Sequence, residues 1–243
     1  MQRSFSDNIF LSVVVPVFNE ENKIDKDLVQ IYDYFNKQDY TFEVIVVDDG
    51  SEDKTCKLLK SWEAKYQNFK CLHYTQNKGK GFAVREGMLK AKGDFSLFID
   101  AGSCVPLEET EKGISLLLDG GDAAFGSRAS AGSKIIQKQP LYRRMGAWLF
   151  ALTVKWFMGV DGIKDTQCGF KMFKRHAAHQ IFKRNKTEGF MFDIETILNA
   201  RKMGLQVMEF PITWKNDPDT RFRFLSGSLR NLRELLKIKF RKP

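Results

Sequence analysis

Three short polar clusters set the chemistry that this chain is built to support. Pro16-Val17-Phe18-Asn19-Glu20, Asp48-Asp49-Gly50-Ser51 and Asp100-Ala101-Gly102 each follow an apolar, strand-like run. Carboxylates at strand ends accept from ribose hydroxyls or a base N–H, or hold a divalent cation that bridges phosphates. One such cluster alone reads as readily as a turn or helix cap, because Asp, Asn, Gly and Ser favour those positions. Three together point to a nucleotide site. Asn77-Lys78-Gly79-Lys80-Gly81 then opens a helical segment, which predicts amide groups and two lysines facing a diphosphate. That string lacks the Gly-Lys-Ser/Thr of a Walker loop and the third glycine of a dinucleotide fingerprint.

The elements that must position these residues alternate. Ile9–Val15, Phe42–Val47, Lys70–Tyr74, Phe95–Ile99 and Ala123–Gly126 read as strands. Glu20–Phe35, Lys54–Tyr66, Gly81–Ala91 and Glu108–Leu118 have helical spacing. This alternation predicts an α/β fold: a mostly parallel central sheet with helices on both faces, with ligands at the carboxyl edge of the strands. The polar run Ala129–Gln139 predicts a mobile loop.

The 243 residues suffice for one large domain with a real core. Apolar residues at 43% and charged residues at 28% exclude a mostly disordered chain. No apolar stretch reaches the length of a membrane span, and Met1–Asn8 lacks a signal-peptide core. Cys56, Cys71, Cys104 and Cys168 stand far apart, which predicts free thiols in a reducing compartment and neither a disulfide frame nor a zinc site. His176 and His179, in His-Ala-Ala-His, read as a helix-surface pair.

The net charge of +9 is concentrated at the C-terminus. Arg221–Pro243 holds eight basic residues against Glu234 alone, and Leu225, Leu229, Leu232, Leu236 and Phe240 recur at helical spacing. A basic amphipathic helix suits an anionic membrane surface, or else is a solvated face on a packed helix. Met145–Val160 is apolar but for Lys155, with Trp148 and Trp156 about two helical turns apart. Tryptophan favours the membrane–water boundary, although a buried helix would carry the same composition. The two segments together predict peripheral membrane contact. The organisation expected is a catalytic domain over 1–220 and a basic amphipathic segment over 221–243.

The strings Val-Val-Val-Pro-Val-Phe-Asn-Glu-Glu, Val-Ile-Val-Val-Asp-Asp-Gly-Ser-Glu-Asp-Lys-Thr, Asn-Lys-Gly-Lys-Gly-Phe-Ala-Val-Arg-Glu-Gly, Asp-Ala-Gly and Gly-Ser-Arg form a set. That set resembles family 2 glycosyltransferases of the GT-A fold. Asp165–Phe173 (Asp-Thr-Gln-Cys-Gly-Phe-Lys-Met-Phe) and Phe192–Glu195 (Phe-Asp-Ile-Glu) are more similar to the polyprenyl or dolichyl phosphate glucosyl branch than to the mannosyl branch. The resemblance runs from about Leu11 to Trp214.

The resemblance implies a hexosyltransferase that takes a nucleotide sugar, UDP-glucose above all, and loads polyprenyl phosphate at the cytoplasmic face of a membrane, with no nucleic acid as partner. Pro16, Phe18, Glu20, Val47 and Asp49 match family positions around base and ribose, and Lys80 stands in the diphosphate segment. Asp100 and Ala101 match the start of the family's metal-binding Asp-x-Asp, but the second aspartate position is Gly102 and a further ligand position is Cys104. A magnesium or manganese ion loses two hard oxygen ligands there and gains a soft thiol. Weak metal binding through Asp100, metal-free catalysis by lysines and a nucleotide-binding pseudoenzyme all stay open.

A lipid phosphate needs little activation, because its second pKa is about 6 and it is mostly dianionic at neutral pH. It needs cations that hold it in line with the anomeric carbon. Arg128, Arg143, Arg144, Lys215 and Arg221 are the candidates, and Arg128, Lys215 and Arg221 lie near family acceptor-phosphate positions. Asp193 and Glu195 would serve as base for a hydroxyl acceptor, and otherwise in sugar binding or helix capping. Gln167 is expected to contact the sugar or to position its loop. A soluble or glycan acceptor is the alternative, and it predicts that Trp148 and Trp156 are buried.

Overall fold

The computed structural model describes residues 9–136, 146, 152–154, 156–216 and 224–241. Four strands with buried residues throughout form one half of the sheet's core: β1 (Leu11–Val17), β2 (Phe42–Asp48), β4 (Phe95–Ile99) and β5 (Ala123–Ser127). With β3 (Phe69–His73), β7 (Phe170–Lys174) and β8 (Val207–Pro211) they build a seven-stranded sheet in the order β3-β2-β1-β4-β7-β5-β8. Strands apolar on both faces belong in such a sandwiched sheet. All pairings in it are parallel except those of β7, which runs antiparallel between β4 and β5.

Helices cover both faces. α1 (Ile24–Phe35), α2 (Thr55–Lys65) and α4 (Glu109–Leu118) place Leu28, Phe35, Leu59, Trp62, Ile114 and Leu117 in one core layer. α3 (Lys80–Lys90), α5 (Arg175–Arg184) and α6 (Phe192–Lys202) place Val84, Met88, Ile181, Phe182, Ile194 and Ile197 in the other. Val14 and Val47 face that second layer, where Gly87 of α3 lies so close that an added Cβ would meet Val47 at 3.0 Å. The interdigitation is what fixes α3, and with it Lys80, against the sheet.

The expected architecture is therefore the one found, with differences. β1 starts and ends two residues later than its apolar run suggested, and α1 begins at Ile24 rather than Glu20 because Glu20 closes a turn that accepts from the Lys23 and Ile24 amides. The run expected as a loop over 129–139 contains β6 (Lys134–Ile135), which pairs in parallel with β9 (Thr213–Trp214) as a small separate sheet. The C-terminal segment forms α7 (Phe224–Phe240). No helix among the described residues is long and apolar enough to cross a membrane.

Candidate active site

The carboxyl ends of β2, β1 and β4 are neighbours in the sheet, so the three polar clusters meet at one edge. Hydrogen bonds lock the first two together. Asn19, at a φ of +54°, turns its Oδ1 to accept from the Glu52 amide at 2.7 Å, and its own amide donates to Ser51 Oγ at 2.7 Å. The Glu20 amide donates to Thr55 Oγ1 and the Lys54 amide to Glu21 Oε2. Asn tolerates the left-handed region because its short side chain bonds locally. The role of Asn19 is thus to join two loops, which its place in a polar turn string did not reveal.

Asp48 and Asp49 divide their work. Asp48 is fully buried; it accepts from the Ser51 amide at 3.0 Å and faces His73 Nδ1 at 2.9 Å. Asp49 accepts from the amides of Lys78 at 3.0 Å and Gly79 at 2.6 Å. It thereby holds the start of α3 against β2. The Phe82 amide donates to Glu188 O at 3.1 Å. Three of the amides at this helix start are therefore engaged by the chain itself. Gly79, at a φ of +115°, and Gly81 are needed for another reason: a Cβ on either would collide with carbonyls of Glu188, Thr187 or Gly189. The Lys78 ammonium is turned aside over the Phe82 ring, 4.5 Å from its centre.

Lys80 is left pointing into the site. Its Nζ stands 2.6 Å from Asp100 Oδ1, at the end of β4. Burial would depress this ammonium, but Asp100 and then Asp193 outweigh it and hold Lys80 above the ordinary lysine value. Gly102 and Ser103 then turn through positive φ of 100° and 50°. Asp27 of α1, buried and not anticipated, grips this turn: its carboxylate accepts from the Gly102 amide and from Ser103 Oγ, each at 2.7 Å.

The segment Asp165–Gly169 closes the opposite side. Asp165 accepts from Arg128 Nε at 2.6 Å, Nη2 at 2.8 Å and the Arg128 amide at 2.9 Å. Burial acts against that carboxylate, but Arg128 overrides it and holds Asp165 below the usual carboxylate range. The fork of Arg128 is thus engaged by Asp165 rather than left open for a phosphate, although 30% of its side chain stays exposed. Gln167 Nε2 is buried and has no hydrogen-bond partner. A donor left in that state points to a missing acceptor, such as a ligand oxygen. Lys171 of β7, which was not singled out from sequence, is buried and pairs with Asp193 at 2.7 Å. Burial pushes the Asp193 carboxyl up, against the pull of Lys171 and Lys80.

The other expected residues fall as follows. Phe18 is at the exposed end of β1, 36% accessible, and Glu20 is beside it. Pro16 pairs with Val47 inside the sheet, and the Val47 side chain lies in the core, so only its main chain faces the edge. Ala101 is half-buried next to Asp100. Lys215 is exposed, and its amide donates to Cys104 O at 2.8 Å, which places it at the rim next to the Gly102 turn. Arg143, Arg144 and Arg221 lie outside the described residues, as does Trp148. None of the four cysteines forms a disulfide. His176 sits on the surface, 3.2 Å from Asp122 Oδ1, at the other end of the sheet.

These residues do not make a good seat for a hard divalent ion. Asp100 already faces an ammonium, Gly102 offers no oxygen from a side chain, and Cys104 is a thiol. Among the described residues one trio, Asp48, Cys56 and His73, brings potential metal donors within 4.8 Å of each other. It lies at the β2–β3 edge, and Asp48 there already serves Ser51 and His73.

α7 packs against this site from behind. Glu234 accepts from the Met191 amide at 3.2 Å, Arg241 pairs with Glu195, and Lys239 donates to Phe157 O. Asn231 and Leu235 are buried, whereas Leu232, Leu236 and Phe240 are exposed. Of the apolar stripe legible in the sequence, Leu232, Leu236 and Phe240 face outward. Trp156, next to Phe157, is 91% exposed.

Comparison with known proteins agrees with this geometry. The model of glycosyl transferase family 2 matches residues 12–182. The chain is 34% identical to the dolichyl-phosphate beta-glucosyltransferase of Saccharomyces cerevisiae, over 96% of this chain and 75% of that protein. It is 32% identical to that of Dictyostelium discoideum, over 97% and 75%. Among solved structures, glucosyl-3-phosphoglycerate synthase from Mycobacterium tuberculosis, in complex with Mn2+, UDP and glucosyl-3-phosphoglycerate, superposes with a TM-score of 0.69 at 18% identity, covering 95% of this chain and 80% of that one. The mannosyltransferase PcManGT from Pyrobaculum calidifontis, with GDP-Man and Mn2+, gives 0.61 at 19% identity, covering 95% and 63%. The fold is the GT-A fold, and a match over most of the sheet together with relatives of this likeness makes the chain a member of glycosyltransferase family 2, an enzyme of hexosyl transfer.

Proposed function

We infer that this enzyme transfers glucose from UDP-glucose to dolichyl or a related polyprenyl phosphate at a membrane surface. The observation that carries the lipid acceptor is the outward stripe Leu232, Leu236 and Phe240 beside exposed Trp156, on a helix whose other face rests on the site. Apolar side chains set among Arg233, Lys237 and Lys239 fit an anionic lipid interface. The names carried by the relatives at 32–34% identity support the same reading.

In this reading Phe18, Glu20 and the loops latched by Asn19 receive base and ribose, with Asp49 fixing the loop beneath them. Asp100 and Lys80 face the diphosphate, and Gln167 Nε2 donates to the sugar. Lys215 and the exposed part of Arg128 hold the acceptor phosphate, which attacks the anomeric carbon directly. No side chain must take a proton from a phosphate that is already dianionic. Direct attack inverts the anomeric configuration. The protein lies on the membrane as a peripheral enzyme.

The test is incubation of the purified protein with radiolabelled UDP-glucose and polyprenyl phosphate in anionic vesicles, with 3-phosphoglycerate as a soluble control. A β-linked, organic-extractable glucolipid is expected. Transfer to the soluble acceptor alone, or no glucolipid with UDP-glucose or GDP-sugars, would overturn the reading.

A further inference from the structure

Lys80 brings an ammonium to the diphosphate edge. Three amides beside it are engaged: those of Lys78 and Gly79 by Asp49, and that of Phe82 by Glu188 O. The Lys80 ammonium itself reaches the end of β4, 2.6 Å from Asp100 Oδ1. An ion chelated by Asp100 would have to displace that ammonium. The Gly102 turn supplies no side-chain oxygen in replacement: its amide is bonded to Asp27, which fixes the turn, and its φ of +100° disfavours any side chain there.

We propose that the Lys80 ammonium, aimed by Asp100, supplies the positive charge at the donor diphosphate, so that donor binding needs no divalent ion. This rests on the nucleotide-sugar reading above and specifies how its diphosphate is held. An ammonium has three N–H donors, and its ion pair with Asp100 leaves donors for phosphate oxygens. The Lys80 and Asp100 side chains are 24% and 34% exposed, so a ligand reaches both. The rings of Phe98 and Phe190 flank Nζ at 5.5 and 6.0 Å and confine its stem. During transfer an oxygen of the acceptor phosphate forms a bond to the anomeric carbon. The bond from that carbon to the diphosphate oxygen breaks, and its electron pair leaves with UDP. The charge gathering on that oxygen meets the ammonium, which keeps its proton. Asp100 is a positioning residue.

Titration calorimetry with UDP, in EDTA and again with MnCl2, tests this on the wild type, Lys80→Met, Lys80→Arg and Asp100→Asn. Wild-type affinity is expected to agree within about twofold between the two conditions, whereas Lys80→Met loses about tenfold or more and manganese does not restore it. Lys80→Arg keeps most of the affinity, which guards against a folding defect in the methionine variant. Asp100→Asn stays indifferent to manganese. A tenfold gain of wild-type affinity with manganese, abolished in Asp100→Asn, overturns the proposal and leaves the transferase reading intact. Wild-type affinity in Lys80→Met also overturns it. Absence of UDP binding in both conditions overturns both. Metal-independent, Lys80-dependent binding without glucolipid formation upholds the proposal and removes only the lipid acceptor.

Discussion

Gly169 lies directly against the carboxylate of Asp100. A Cβ built on Gly169 would fall on Oδ2 of that aspartate, while the Asp100 amide donates to Gly169 O at 3.0 Å. The main chains are therefore tied and only the side chain is able to yield. Gly169→Ala is expected to turn the Asp100 carboxylate away and release Lys80. Its melting temperature should stay near that of the wild type, because a short side chain at a partly open edge is what moves. UDP affinity should fall by about tenfold, as when one charge-assisted contact is lost. Calorimetry beside a thermal melt separates the two effects.

Gly102→Asp is expected to strain the fold rather than install a metal site. The residue would have to hold a φ of +100°, at a cost of about 1–3 kcal/mol. Urea denaturation should show that loss. Manganese should leave the variant's UDP affinity unchanged.

Arg128 and Asp165 give stability a dependence on acid. The folded carboxyl lies below its unfolded value, so its contribution is complete above about pH 4 and is lost as pH falls through the lower, folded value. Asp165→Asn should cost on the order of 2 kcal/mol at pH 7, since one partner of the pair reaches solvent. The gap between variant and wild type should narrow steadily below pH 4. Urea melts at stepped pH values measure it.

Burial pushes the Cys71 and Cys168 thiols up to about 12, with nearby carboxylates adding to the effect. At pH 8 neither is a thiolate, and Cys168 is also shut in the core. Maleimide labelling of the native protein, read by peptide mass spectrometry, should therefore mark Cys56 and spare Cys168 until denaturant is added.

The outward stripe should bind vesicles and do nothing else. Leu232→Glu, Leu236→Glu and Phe240→Glu combined are expected to lower sedimentation with anionic vesicles by about tenfold or more. UDP affinity in solution should not change. Retained sedimentation would assign that face to another partner.

Much of the site edge was legible because acids after apolar β-branched runs have few other uses when three such runs are neighbours in a parallel sheet. Asp48, Asp49 and Asp100 arrived where their strands put them. The glycines of Gly79-Lys80-Gly81 carried a second meaning: glycine marks a close approach, and the sequence does not say of what. Here it is the 187–189 backbone, more than a hundred residues on, that they approach. Direction was hidden too. Phe170–Lys174 is buried on both faces, so nothing in its pattern distinguishes an antiparallel strand from a parallel one. Lys171 pairs with Asp193, and Asp27 with the Gly102 amide, across different elements, and nothing in the sequence announces that either pair meets.

The placement of β7 also constrains how the protein is made. A nascent chain released only to residue 169 has β3, β2, β1 and β4 ready to pair, but β4 then shows an open edge and β5 has nothing to join. Five residues, Phe170–Lys174, cover that edge and give β5 its first partner, and β8 then pairs with the other side of β5. The four strands β3, β2, β1 and β4 are thus contiguous in the sheet without β7, and β7 is the wedge that joins them to β5, with Gly169 and Lys171 brought in beside it.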